Sequence, residues 1–320
     1  MTKQFTCVLV VFVFFGIANA QKIDHLISFR NIDSNRYFRF NYDNDYFAAS
    51  DENYTQGYNL EFVSPYFSKN PINSLLIKPE IYQLKYGLSI EHIGFTPDRY
   101  DLPEIQFNDR PFAAAIMLKS FAVAQHSDKQ LRIHSSVNLG IIGPGAFGEE
   151  MQVGIHKATG NKVPRGWRHQ IKNDIVVNYT IGIEKQIVNF NDVASVQSQS
   201  NLNIGTLFTN ASVGANVILG QFKDSFSSEN NQTNFQIYVY AQPVFNVIGY
   251  DATLQGGLIN RESPYTISSK NIERVTSQFN FGMVIQTKTL YFEYTRSSIT
   301  KEFDTGSLAK WGGIRVGFTF

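Results

Sequence analysis

Period-two alternation of apolar and polar residues, repeated in segments of about ten along most of the chain, limits the fold to strands with two unlike faces. Between Ile175 and Lys185, the residues Ile175, Val177, Tyr179, Ile181 and Ile183 alternate with Val176, Asn178, Thr180, Gly182 and Glu184. Phe235, Ile237, Val239 and Ala241 likewise oppose Gln236, Tyr238, Tyr240 and Gln242. Ala211, Val213, Ala215, Val217 and Leu219 oppose Ser212, Gly214, Asn216 and Ile218. A soluble sandwich alternates in the same way, so this pattern alone leaves two architectures open.

The two ends of the chain favour a membrane barrel. Met1 to Ala20 has a Lys near its start, an apolar run from Val8 to Ile17, and Ala18-Asn19-Ala20 before Gln21. That is the form of a secretory signal, with a run too short to span a bilayer. Residues 1–20 are expected to be removed, leaving 21–320 as one domain; Cys7, the sole cysteine, leaves with them, so no disulfide is expected. At the other end Ile314, Val316, Phe318 and Phe320 share a face opposite Arg315, Gly317 and Thr319. A final amphipathic strand ending on an aromatic residue is similar to the C-terminal signature of outer-membrane barrels. The 27 Phe and 16 Tyr, in a chain only 43% hydrophobic, suit aromatic girdles on a wall whose other face is polar. A net charge of +1 and no basic block give no case for nucleic acid.

Strands are expected to begin near residues 36, 56, 82, 111, 131, 172, 190, 208, 234, 272, 289 and 310. An even count suits closure, so the expected fold is an all-β, transmembrane antiparallel barrel of twelve strands, inserted in the outer membrane as a monomer. Connections after odd-numbered strands include the long ones, at 43–55, 93–110, 141–171 and 249–271; those after even-numbered strands include three compact turns. Long outer loops and short periplasmic turns are the usual asymmetry. The connection around 65–81 is long on the short side and reads as a periplasmic amphipathic piece. Large residues such as Tyr238 and Tyr240 on the lumen face argue against a wide pore.

Two outer loops carry the chemistry. In the long loop at 141–171, a Gly143-Pro144-Gly145 turn is followed by a short helical segment on which Glu149, Gln152 and His156 fall on one face. An imidazole is a general base at neutral pH when a partner orients it, and Gln152 is a candidate for orienting it or for positioning a water. No G-x-S-x-G sequence occurs, so a Ser-His-Asp hydrolase is unsupported. In the first loop Asn41, Asp43, Asp45 and Glu52 occupy positions one, three, five and twelve of a calcium-loop pattern, but Tyr46 stands where an EF-hand requires Gly. What remains is a set of hard oxygen donors suited to Ca²⁺, or else a solvated acidic loop.

At these residues the chain resembles the outer-membrane lipid A 3'-O-deacylases of the LpxR family. The likeness rests on Asn44-Asp45 followed by Tyr54-Thr55-Gln56-Gly57, on Asn108-Asp109-Arg110 with Phe112-Ala113, and on Gly140-Ile141-Ile142-Gly143-Pro144. It continues through Glu150-Met151-Gln152, His156, Gly160, Trp167-Arg168-His169-Gln170 and Thr253-Leu254-Gln255-Gly256. The resemblance implies a calcium-dependent hydrolase that acts on lipid A of lipopolysaccharide and cleaves the ester of its 3'-linked acyloxyacyl chain. It implies His156 as the base that activates water, with Gln152 and Thr55 lining the site and Asn44 and Asp45 at the calcium, a set that Asp43 and backbone carbonyls would complete. No carboxylate follows His156 until Asp174. Arg99, Arg110 and Lys162 are candidates for pairing with lipid A phosphates. A phospholipase using the same base and metal, and a non-catalytic barrel or pore, are the rival readings.

Overall fold

The computed structural model describes residues 32, 34–48, 53–80, 82–190, 193–224, 226 and 235–320. The expected signal peptide, with Cys7, and Glu52 lie outside the described residues. Twelve antiparallel strands follow in chain order: β1 Tyr37–Asn44, β2 Asn53–Val63, β3 Gln83–Thr96, β4 Ala113–His126, β5 Leu131–Ile142, β6 Asp174–Phe190, β7 Ala194–Gly205, β8 Phe208–Gln221, β9 Phe235–Asp251, β10 Val275–Thr287, β11 Leu290–Ile299 and β12 Ala309–Thr319. Each pairs with its chain neighbours, and β1 closes the sheet against β12 with Tyr37 opposite Thr319 and Asn44 opposite Gly312. Closure leaves no strand edge to pair with another chain. Among the described residues no helix is long and apolar enough to cross a membrane; the strands are the crossing elements.

Side-chain parity sorts the two faces as the alternation requires. On β9 the outward Phe235, Ile237 and Val239 are exposed, while Tyr238, Tyr240 and Gln242 are buried in the lumen. The lumen is filled with paired charge. Arg39 binds Glu61 at 2.9 Å, Arg315 binds Glu293 at 2.7 Å, and Lys119 and Arg132 pair with Glu91 and Glu184. Tyr37 donates to Glu61, and Tyr240 and Tyr291 donate to Glu293. These hydrogen bonds offset the cost of burying ions, a cost that would otherwise fall on each carboxylate.

The connection after β2 departs from the expected piece at the barrel's periplasmic end. It forms two 3-10 turns, Pro65–Lys69 and Pro71–Leu75, and folds back over the outward wall. Ser64 and Asn70 cap the turns by accepting from Tyr66 and Ile72 backbone N–H groups. The side chain of Asn70 donates to Ser120 Oγ at 3.0 Å, the Ile77 N–H donates to Ser135 Oγ, and Tyr179 OH donates to the Leu75 carbonyl. Prolines at the first turn positions start each turn cheaply, and the wall hydroxyls satisfy polar groups that lipid could not.

At the opposite end of the barrel lie the long connections. The one after β5 contains α1, Gly148–Thr159, whose buried residues are Gly148, Gln152 and His156, spaced by four. Glu149, expected on that face, is exposed. The last residue of β9 caps a single turn, α2 (Ala252–Gln255), by accepting from the Thr253 N–H.

Candidate active site

The site forms where α1 lies against the outside of the barrel wall. Gly148 makes that approach possible: a Cβ there would fall 2.4 Å from Ala114 Cβ and 2.7 Å from the Trp167 ring. Ala114 is an outward residue of β4, fully buried beneath Trp167, Phe112, Tyr100 and Ala146, with Ile116 and Ile141 packed against the cluster. Gln152 fixes the indole, its Oε1 accepting from Trp167 Nε1 at 2.7 Å, while its Nε2 is buried with no partner among the described residues. On β3, His92 is fully buried, stacked on Tyr58 at 5.1 Å and bonded through Nε2 to the Ala146 carbonyl.

One turn beyond Gln152, His156 has its Nδ1 2.6 Å from the Lys162 carbonyl and its ring edge-on to Tyr100 at 5.3 Å. The carbonyl reaches back because the helix stops at Gly160, whose φ of +73° places the chain in the left-handed region. Asn161 N–H then bonds the His156 carbonyl, and Lys162 follows. A carbonyl only accepts, so a neutral ring carries its proton on Nδ1 and presents Nε2 as the acceptor.

The facing wall comes from β1 and β2. Asn44 is the last outward residue of β1; its Nδ2 donates to the Thr55 carbonyl at 2.8 Å and to Tyr42 OH. Thr55 sits at a register shift in β2, and its hydroxyl shares a 2.6 Å hydrogen bond with that of Thr96. Asp45 opens the 3-10 turn Asp45–Ala48 and is buried. Together with His156, Gln56 and Asn161 these residues line a cavity of about 400 Å³.

The structure thus brings His156, Thr55, Asn44 and Asp45 to one cavity and leaves other candidates elsewhere. Gln152 stands behind His156, holding Trp167, and the atom that orients the imidazole belongs to Lys162. Asp43 points into the lumen, 3.9 Å from Arg315. Arg110 is buried and bound to Glu302 at 2.7 Å, stacked over Phe95, so it ties loops together away from the cavity. Arg99 and Lys162 are both exposed at the rim, on either side of Asp101. Asp174 accepts from Ile175, Ile259 and Asn260 N–H groups and serves as a loop anchor. The Lys162 carbonyl and the Tyr100 ring escape sequence reasoning; the Gly160 stop, two residues before Lys162, is the signal that points to the carbonyl.

Among the described residues no three of His, Cys, Asp and Glu form a cluster for a metal. A cation in this cavity would rest on the Asp45 carboxylate and neutral oxygens of Asn44 and Thr55. Those are hard donors of the kind calcium takes with water filling the remaining positions, so the residues present fit a weakly held Ca²⁺.

The family model described as "Outer membrane protein LpxR" matches residues 5–320. Among solved structures, LpxR from Salmonella typhimurium superposes with a TM-score of 0.71 at 19% identity, covering 89% of this chain and all of that one. The β domain of the Bordetella autotransporter BrkA covers 89% of this chain and 99% of its own at 7% identity and a TM-score of 0.47. No curated protein matches the chain by sequence.

Proposed function

The chain belongs to the LpxR family of outer-membrane proteins, and from that premise and the cavity's geometry we propose that it hydrolyses the ester of the 3'-linked acyloxyacyl chain of lipid A. The observation that carries the proposal is the His156 ring, fixed through Nδ1 by the Lys162 carbonyl in a cavity shared with Asn44, Asp45 and Thr55. His156 Nε2 takes a proton from water, and the resulting hydroxide adds to the ester carbonyl carbon. When the tetrahedral species collapses, the imidazolium returns the proton to the departing sugar oxygen, so the ring ends neutral. Asn44, Asp45 and Thr55 would hold Ca²⁺, which when bound supplies charge stabilisation for the developing oxyanion. Tyr100 limits the ring's rotation, and Arg99 and Lys162 at the rim are placed to meet the acidic headgroup.

Mass spectrometry of lipid A incubated with the detergent-folded protein tests the reading. Loss of one acyloxyacyl unit is expected with calcium and not with a chelator. His156→Ala should lower the rate by about a hundredfold or more, the scale of a general base. Asp45→Ala should weaken the calcium dependence and the rate together. Hydrolysis that persists in His156→Ala would place the base elsewhere, and release of fatty acid from glycerophospholipid alone would replace the substrate.

A further inference from the structure

Strand register draws one continuous row of outward side chains across the half of the wall that carries the site. Phe40 faces Leu60, Leu60 faces Ile90, Ile90 faces Leu118, Leu118 faces Leu139, and Leu139 faces Val177. All six are between 37% and 50% exposed. On β3, β4 and β5 the outward residues two positions nearer the site are covered, while Ile175 on β6 is 59% exposed. His92 is buried under the Ala146 carbonyl, and Ile116 and Ile141 pack on the cluster around Trp167. Two positions farther away the folded-back connection lies along the wall, sealing Ser120 on β4 and leaving Phe62 on β2 42% exposed. Phe62 meets the Phe67 ring at 6.1 Å, Ser120 is bonded by Asn70, and Tyr179 is bonded to Leu75. On β4 the boundary is abrupt: Leu118 is 50% exposed and Ser120, two residues on, is 4% exposed.

An ordinary barrel wall faces fluid hydrocarbon over its full height, whereas at the middle of this half, on β3, β4 and β5, its own chain bounds it above and below. There what remains open is a lane one side chain high, widening at Phe62 and Ile175 toward its two ends. Strands lie about 4.8 Å apart, so five intervals make it roughly 24 Å long. A chain filling one leaflet spans about half of the ~30 Å hydrocarbon core, so the lane is long enough to seat one. It contains no polar side chain, and it is continuous with the cavity: Tyr42, which lines the cavity, is the next outward residue of β1 after Phe40.

We propose that this lane seats an acyl chain of the lipid whose ester enters the cavity, that the folded-back connection at 64–80 is the floor that keeps the chain in the lane, and that the row of side chains along it sets how long a chain the site accepts. The inference rests on the lipid-ester reading and adds to it a specificity determinant. The ties of the connection to Ser120, Ser135 and Tyr179 hold the floor in place. Bulk added in the lane shortens it.

Two readouts test the lane. The first is the distribution of acyl lengths released from lipid A of mixed chain length, with folding checked by heat-modifiable migration. Leu118→Trp and Leu139→Trp should lower kcat/KM for the longest chains relative to the shortest by roughly tenfold, the effect of misfitting a methylene or two in an apolar site. Val213→Trp, on the outward face of β8, should leave the distribution as in the wild type. The second needs no turnover: in a His156→Ala background, lipid A with brominated acyl chains in phospholipid bilayers should quench the indole introduced by Leu118→Trp at a lower mole fraction than that introduced by Val213→Trp. Equal quenching at both positions means annular lipid only and overturns the lane. An unchanged length distribution in an active Leu118→Trp enzyme overturns it too. A wild type that releases no acyl chain refutes the catalytic reading instead, and the quenching comparison still decides the lane.

Discussion

His156 has two ring nitrogens, and a backbone turn selects which of them is left facing the cavity as an acceptor. Because Gly160 reverses the chain, the Lys162 carbonyl accepts a hydrogen bond from Nδ1–H and leaves Nε2 as the acceptor that the proposed hydrolysis would use. Sequence periodicity places His156 on the inner face of the helix and Asn44, Asp45 and Thr55 at strand ends, but a main-chain carbonyl carries no side-chain signature. Alternation alone sets Asp43 apart from the cavity: it shares parity with Arg39 and Asn41, the lumen face, whereas Asn44 has the opposite parity. Arg110 looks like a loop charge, yet it is buried against Glu302, which belongs to the connection after β11. Burial raises the Glu302 pKa from 4.5, Arg110 opposes that and Asp251 adds to it, so the group titrates at about 7. A folded pKa above the unfolded one means that the folded state holds an extra proton between those two values. Its contribution to stability is full below 4.5 and is lost as pH rises through about 7. The loop tie should therefore resist limited proteolysis better at about pH 5 than at about pH 8, and Glu302→Gln should abolish the difference. Equal wild-type resistance at both pH values would refute this assignment.

At the scale of elements, α1 and the folded-back connection each depend on small residues in the wall. Gly148→Val would drive side-chain carbon into Ala114 and Trp167, and overpacking of that kind costs about 1–3 kcal/mol where neighbours cannot yield. The helix should lift from β4 and hydrolysis should fall by about tenfold or more, since a small misplacement of catalytic groups is costly. Heat-modifiable migration should remain, because the barrel's own pairing is untouched; full activity in the variant would show that the helix tolerates displacement. The helix was legible from its spacing, though the buried series begins at Gly148 and excludes Glu149. The connection after β2 was not legible, since 3-10 turns started by Pro65 and Pro71 leave no periodic pattern. Its trace lies in the partner strand, where Ser120, Ala122 and Ala124 occupy outward positions with residues too small to face lipid alone.

For the molecule as a whole, strand number, closure and facing were legible because period two and connection length report them directly. The paired charges inside were not, since parity tells which residues face the lumen and not which of them meet. Arg39–Glu61, Arg315–Glu293 and Arg132–Glu184, with tyrosines bonded to two of the carboxylates, fill the bore. Reconstituted in planar bilayers, the protein should show no steady ohmic conductance, and a stable open channel would contradict a filled lumen. The cavity instead faces sideways, on the outer surface of β1 and β2, beneath α1. A lipid therefore reaches it by diffusing within a sheet, and the encounter rate is set by how many substrate molecules share each unit of membrane area. Diluting the surrounding amphiphile, at constant bulk concentration of substrate, is then equivalent to enriching the substrate.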